Sequence, residues 1–148
     1  MSDSDLYEAD ILLWSERQAE LLRRLEAGER VNDLDWPNII DEVESVGRSE
    51  TRACASLLMQ MVLHRMKIAA WPDSTAVPGW TEEVARLRFE AVQAFAPSMR
   101  QRLDVAKIYA AALRELRRMP ATIDGKPPLP VQETCGATLA ELLAEPED

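Results

Sequence analysis

The feature that most restricts this chain is the run from Trp36 to Trp71, "WPNIIDEVESVGRSETRACASLLMQMVLHRMKIAAW". Its apolar residues recur with the helical period and never with the two-residue alternation of a strand. At 100° per residue, Trp36, Ile39, Val43, Val46, Glu50, Ala53, Cys54, Leu57, Met61, His64 and Ile68 stay within about 60° of one line. Asp35 is a good N-cap, Pro37 falls in the first turn where its missing N–H costs nothing, and Pro72 stops the run. The pattern supports either one long helix or two with a joint at Gly47. Gly47 interrupts it with a residue about 1 kcal/mol poorer than Ala in a helix interior, so a bend or short break is expected there.

The flanking sequence is helical too. "SDLYEAD" opens a first helix, with Asp5 as cap and Glu8 completing a capping-box-like pair. Tyr7, Ile11, Trp14, Leu21, Leu22 and Leu25 share one face, and Gly28 closes the helix. "PDSTAVPG" is a turn-rich loop. A further helix then aligns Trp80, Val84, Leu87, Ala91 and Phe95. Pro97 opens another, which buries Val105, Ile108, Tyr109, Ala112, Leu116 and Met119. "PATIDGKPPLPVQETCG" is a surface crossing with a turn signal at Asp124-Gly125, where a tight hairpin has only weak support because no alternating strands flank it. "TLAELLAE" is a short last helix with Thr138 and Glu141 as a capping box. No repeat or second domain is visible. The expectation is one all-α domain over 1–148, an antiparallel bundle of about five main helices around a long central one.

Composition sets bounds on function. Apolar residues at 47% and charged residues at 29% suit a globular core rather than a disordered chain. The acidic N-terminus has neither the basic nor the apolar segment of a signal peptide, and no run is long enough to span a membrane, so a cytoplasmic protein is expected. Cys54 and Cys135 match no metal or redox spacing and read as idle thiols in a reducing compartment. A net charge of −9 argues against general affinity for nucleic acid or anionic lipid. The charge is uneven, with 5 basic and 14 acidic side chains in residues 1–50 against 8 and 3 in residues 86–118. Arg100, Arg102, Lys107, Arg114, Arg117 and Arg118 could therefore display a basic face. Neutralisation by neighbouring acidic helices is the simpler account.

Four ionisable residues fall on faces expected to point inward: Asp10, Glu50, His64 and Arg88. Glu50 and His64 lie ~21 Å apart along a continuous helix and cannot act as a pair. Arg88 is suited to a carboxylate across helices, and Asp10 to His64, whose tautomer it would fix. The leading expectation is a satisfied polar network that sets helix register. The alternatives are a metal site using His64 with Asp10, Glu42 or Glu50, and acid–base hydrolysis with His64 as base. The metal reading is weakened because Met61 stands where carboxylate-rich bundle sites place a glutamate. No nucleophile elbow, P-loop, dinucleotide fingerprint or His-Glu-x-x-His is present, and no cofactor is implied. Glu44 and Arg48 form a favourable i,i+4 pair on a solvated face.

From "LYEADILLW", "LDWPNIIDEVESVGRSE" and "LHRMK", with weaker echoes in "PSMR", "YAAALRE" and "CGATLAELL", the chain resembles the bacterial helical proteins called domain of unknown function 29. The resemblance runs from Leu6 nearly to the C-terminus and implies a helical fold without implying an activity. The leading functional expectation is a non-catalytic protein acting through protein–protein contact, including self-association as a homodimer. Its rivals are a hydrolase or nuclease-like enzyme built on His64 and a nucleic-acid regulator using the basic face of residues 86–118.

Overall fold

A computed structural model describes residues 1–144. The fold is all-α, with six helices and one short 3₁₀ turn among the described residues. In order these are α1 (Asp3–Ala9), α2 (Ile11–Glu26), α3 (Trp36–Ala70), α4 (Val77–Ala94), the 3₁₀ turn Pro97–Gln101, α5 (Val105–Arg117) and α6 (Leu139–Leu143). Contacts divide the chain into two compact units, Met1–Arg48 and Ser49–Asp148, so α3 contributes its first part to one and the rest to the other.

The 36–71 register is realised as one 35-residue helix with no break at Gly47. A penalty of about 1 kcal/mol is small against the packing of so long a helix, and the residue is tolerated rather than used as a joint. The first helix, by contrast, divides at Asp10. That residue has extended backbone (φ −153°, ψ 86°), and its Oδ1 accepts from Leu13 N at 3.0 Å, which caps α2. The α1 cap is Ser2 rather than Asp5. Ser2 Oγ accepts from Asp5 N, and Asp5 returns the bond by accepting from Ser2 N at 2.9 Å.

In the first unit, α1 packs on α2, and Trp14, Leu21 and Leu34 are buried. Tyr7 meets Trp14 edge-to-face with ring centroids 4.8 Å apart. Gly28, at φ +88°, ends α2 in the left-handed conformation a glycine adopts without strain. Its N–H donates to Leu25 O, and Glu29 N–H to Arg24 O.

In the second unit the core gathers around α3. Cys54, Leu58, Met61 and Val62 meet Leu87 and Ala91 of α4, Met99 of the 3₁₀ turn, Ile108, Ala112 and Leu113 of α5, and Leu142 of α6. Pro97 opens only the 3₁₀ turn. The α5 helix starts afresh at Asp104, whose carboxylate accepts from Lys107 N.

The proline-rich crossing is anchored to the end of α3. Asp124 (φ 53°) and Gly125 (φ 74°) make a two-residue turn closed by reciprocal 3.0 Å bonds between Ile123 and Lys126. The hairpin is therefore present, reduced to a single bridge. Trp71 Nε1 donates to Lys126 O at 3.0 Å and Leu129 N to Ala70 O at 2.8 Å, which occupies a carbonyl the helix end leaves open. Thr138 caps α6 by accepting from Glu141 N. Glu145, the last residue of the sequence stretch read as that helix, lies outside the described residues.

Candidate functional site: an uncovered helix face

Of the four ionisable residues read as inner-face partners, two are exposed and two are half-buried. Asp10 is exposed and caps α2. Glu50 is exposed on α3. His64 is half-buried, and its Nδ1 lies 2.7 Å from Gln60 O one turn back on the same helix. Arg88 is half-buried, and its Nε donates to Leu142 O at 3.3 Å, tying α4 to α6.

Glu83 of α4, which sequence reasoning did not select, is held by Arg86 at 2.7 Å, and that hydrogen bond keeps its pKa below the usual carboxylate range. Among the described residues no three His, Cys, Asp or Glu side chains gather as metal ligands would.

The reason for the misplacement is rotational. In the second unit the buried α3 residues are Cys54, Leu58, Met61, Val62, Met66 and Ala70. At 100° per residue their mean direction lies roughly 100° from the line drawn through Glu50 and His64. Both residues therefore stand at the margin of the packed face.

The polar strut that does exist is in the first unit and centres on Gln18, which is 2% exposed. Its Nε2 donates to Asp3 Oδ2 at 3.0 Å and its Oε1 accepts from Asp35 N at 2.8 Å, joining α1, α2 and the start of α3. The Asp35 carboxylate accepts from Trp14 Nε1 at 3.0 Å and Asn38 Nδ2 at 2.8 Å. Arg17 Nε reaches Asp3 at 2.6 Å. Tyr7 donates its hydroxyl to Glu42 at 2.6 Å, a bond that pushes the phenol up to about 12. Every donor and acceptor buried in this network is answered, as low-dielectric surroundings require.

What remains unanswered in the first unit is apolar. Trp36, Ile40, Val43 and Val46 are 49%, 52%, 69% and 63% exposed. At 100° per residue Trp36, Ile40 and Val43 project from one side of this part of α3. One edge of the open face carries the predicted Glu44–Arg48 pair at 3.6 Å, with Asp41 at 3.4 Å from the same guanidinium. Ile11, Leu12 and Leu13 at the start of α2 are also at least half exposed.

The basic side chains of residues 86–118 are partly spent. Arg86 bridges Glu83 and Glu90, Arg118 pairs with Glu115 and Arg117 with Glu133. The Arg100 guanidinium stacks 5.4 Å over Phe95.

The sequence pattern described as domain of unknown function DUF29 matches residues 6–146. The chain belongs to the DUF29 family. This DUF29 chain is also similar to a crystallised alpha-helical protein of unknown function from Rhodospirillum rubrum. The two are 28% identical, with a TM-score of 0.70, over 94% of this chain and 89% of the other. No curated protein matches. Among the described residues no helix is long and apolar enough to cross a membrane.

Proposed function

We propose that this DUF29 protein is non-catalytic and acts through protein–protein contact, using the open face of α3 from Trp36 to Gly47, with a second copy of the chain as its partner. One observation carries the reading. Trp36, Ile40, Val43 and Val46 follow one another along the first part of α3, each about half exposed or more. Soluble chains seldom leave several large apolar side chains adjacent and uncovered, and such patches mark contact surfaces.

A second copy suits the face on two grounds. It presents the same residues to its partner under two-fold symmetry, and Gly47 adds no side chain that would hold two helices apart, since nothing lies within 4 Å of where its Cβ would be. The charged ladder of Asp41, Glu44 and Arg48 stays at the rim, where such groups cost little. Light scattering coupled to size exclusion over a dilution series tests the reading. The expected result is a concentration-dependent dimer, and a monomer at every concentration overturns it.

A further inference from the structure

The second unit holds a half-open cleft of about 480 Å³ between α3, α5 and the crossing segment that precedes α6. Its floor is core material: Val62 and Met66 of α3 and Leu142 of α6, all buried. Tyr109 and Cys135 form its sides, and Arg65 of α3 is the only charged residue among the described residues that line it. We propose that this cleft binds a small amphipathic carboxylate, an apolar chain or ring with one anionic end, whose carboxylate is held by Arg65.

Three features support the assignment. The walls are preformed, because the crossing segment is fastened on both sides. Tyr109 donates its hydroxyl to Gln132 O, Leu129 N donates to Ala70 O, and Trp71 Nε1 donates to Lys126 O. A cleft held open in this way does not spend binding energy on ordering its walls. Its size falls within the range of small-ligand sites, and its apolar floor with few polar groups is what such sites have in common.

The polar groups of the wall are also unequally committed. The Tyr109 hydroxyl is used on Gln132, and Cys135 Sγ donates to Ala137 O at 3.4 Å. Arg65, in contrast, has no ion-pair or hydrogen-bond partner among the described residues. A guanidinium in this state beside an apolar floor selects an anion whose remaining surface is apolar, and its planar fork favours carboxylate. The site belongs to the second unit and does not depend on the α3 face used for self-contact.

Cys135 supplies the assay. It lines the cleft and is partly exposed, whereas Cys54 is 0% exposed, so an aromatic disulfide reagent reads Cys135 in the folded protein. The labelling rate is measured with increasing octanoate and, separately, 1-octanol, and octanoate binding is checked by calorimetry. Octanoate is expected to protect Cys135 at about tenfold lower concentration than octanol, as befits one solvent-facing carboxylate–guanidinium contact.

In Arg65→Ala the two probes become equivalent, and Arg65→Lys retains part of the preference. Ala69→Trp, which fills the cleft from α3, abolishes protection by both. Circular dichroism melts establish that each variant is folded. Equal protection by octanoate and octanol in the unmodified protein overturns the proposal, as does no protection by either at millimolar concentration. An unchanged preference in Arg65→Ala overturns the role of that residue as the anion holder.

Discussion

Truncating Val43 to alanine separates association from folding, because the residue is 69% exposed in the single chain and lies in the middle of the open face. The substitution removes two carbons. Full burial of these would be worth about 1.6 kcal/mol at 0.8 kcal/mol per methylene, and scaling by the exposed fraction leaves about 1 kcal/mol per copy. In a two-fold dimer the change enters twice, so association weakens by about 2 kcal/mol, roughly thirtyfold in Kd. A void left at the contact adds to this figure, and relaxation of the neighbouring helix subtracts from it. Folding of the single chain should shift by no more than about 0.5 kcal/mol, since the valine packs on little within it. Sedimentation velocity over a dilution series gives Kd, and urea denaturation at a concentration where the chain is monomeric gives stability. A Val43→Ala dimer within about threefold of the original Kd would refute the placement of the contact on this face. So would a variant whose loss appears in urea rather than in sedimentation, because Val43 would then be core.

Gln18→Ala should cost about 1–3 kcal/mol in urea denaturation, because it strands the Asp35 N–H and loses the Asp3 contact in a dry site, and a loss below 0.5 kcal/mol would remove Gln18 as the strut. Tyr7 should ionise at about 12 when followed by absorbance at 295 nm, and Tyr7→Phe should lose that step. The folded pKa is raised, so the stability the bond contributes is complete below the ordinary value near 10 and is lost as pH climbs through about 12. Tyr7 titrating at about 10 in the folded protein would contradict the Glu42 bond. Asp124 is held below the usual carboxylate range by the Thr75 N–H, then by the Ser74 hydroxyl, so its contribution is present above the unfolded value near 3.9 and fades as pH falls through the lower folded one. Asp124→Asn, which tolerates the left-handed backbone, should flatten the acid limb of a melting-temperature profile, and an unchanged limb would show that the clamp is not ionic.

The parts of the fold that could be read in the residues are those in which a local rule acts alone. Trp36 and Pro72 bound α3 because proline chemistry and helical period agree there, Gly28 ends α2 in the conformation glycine prefers, and Thr138 caps α6. Asp10 carried a legible signal that was assigned to the wrong role. A short acidic side chain immediately before "ILLW" is an N-cap, and capping draws it outward to Leu13 N and away from any inner face.

His64 and Glu50 failed for a different reason. Between Cys54 and Ala70 apolar residues occupy nearly every direction around α3, so a line drawn through some of them is not the line of burial. Only packing by α4, α5 and α6 selects Leu58, Val62 and Met66. Gln18 was visible as a polar residue between Trp14 and Leu21, but its partners Asp3 and Asp35 come from fifteen residues before and seventeen after, and periodicity cannot see such distances.

The open face is the extreme case. Trp36, Ile40, Val43 and Val46 keep the helical period, and periodicity records only that a helix side asks to be covered. Whether the chain covers that side for itself is a fact about packing, and a side left open is where a second molecule would have something to gain.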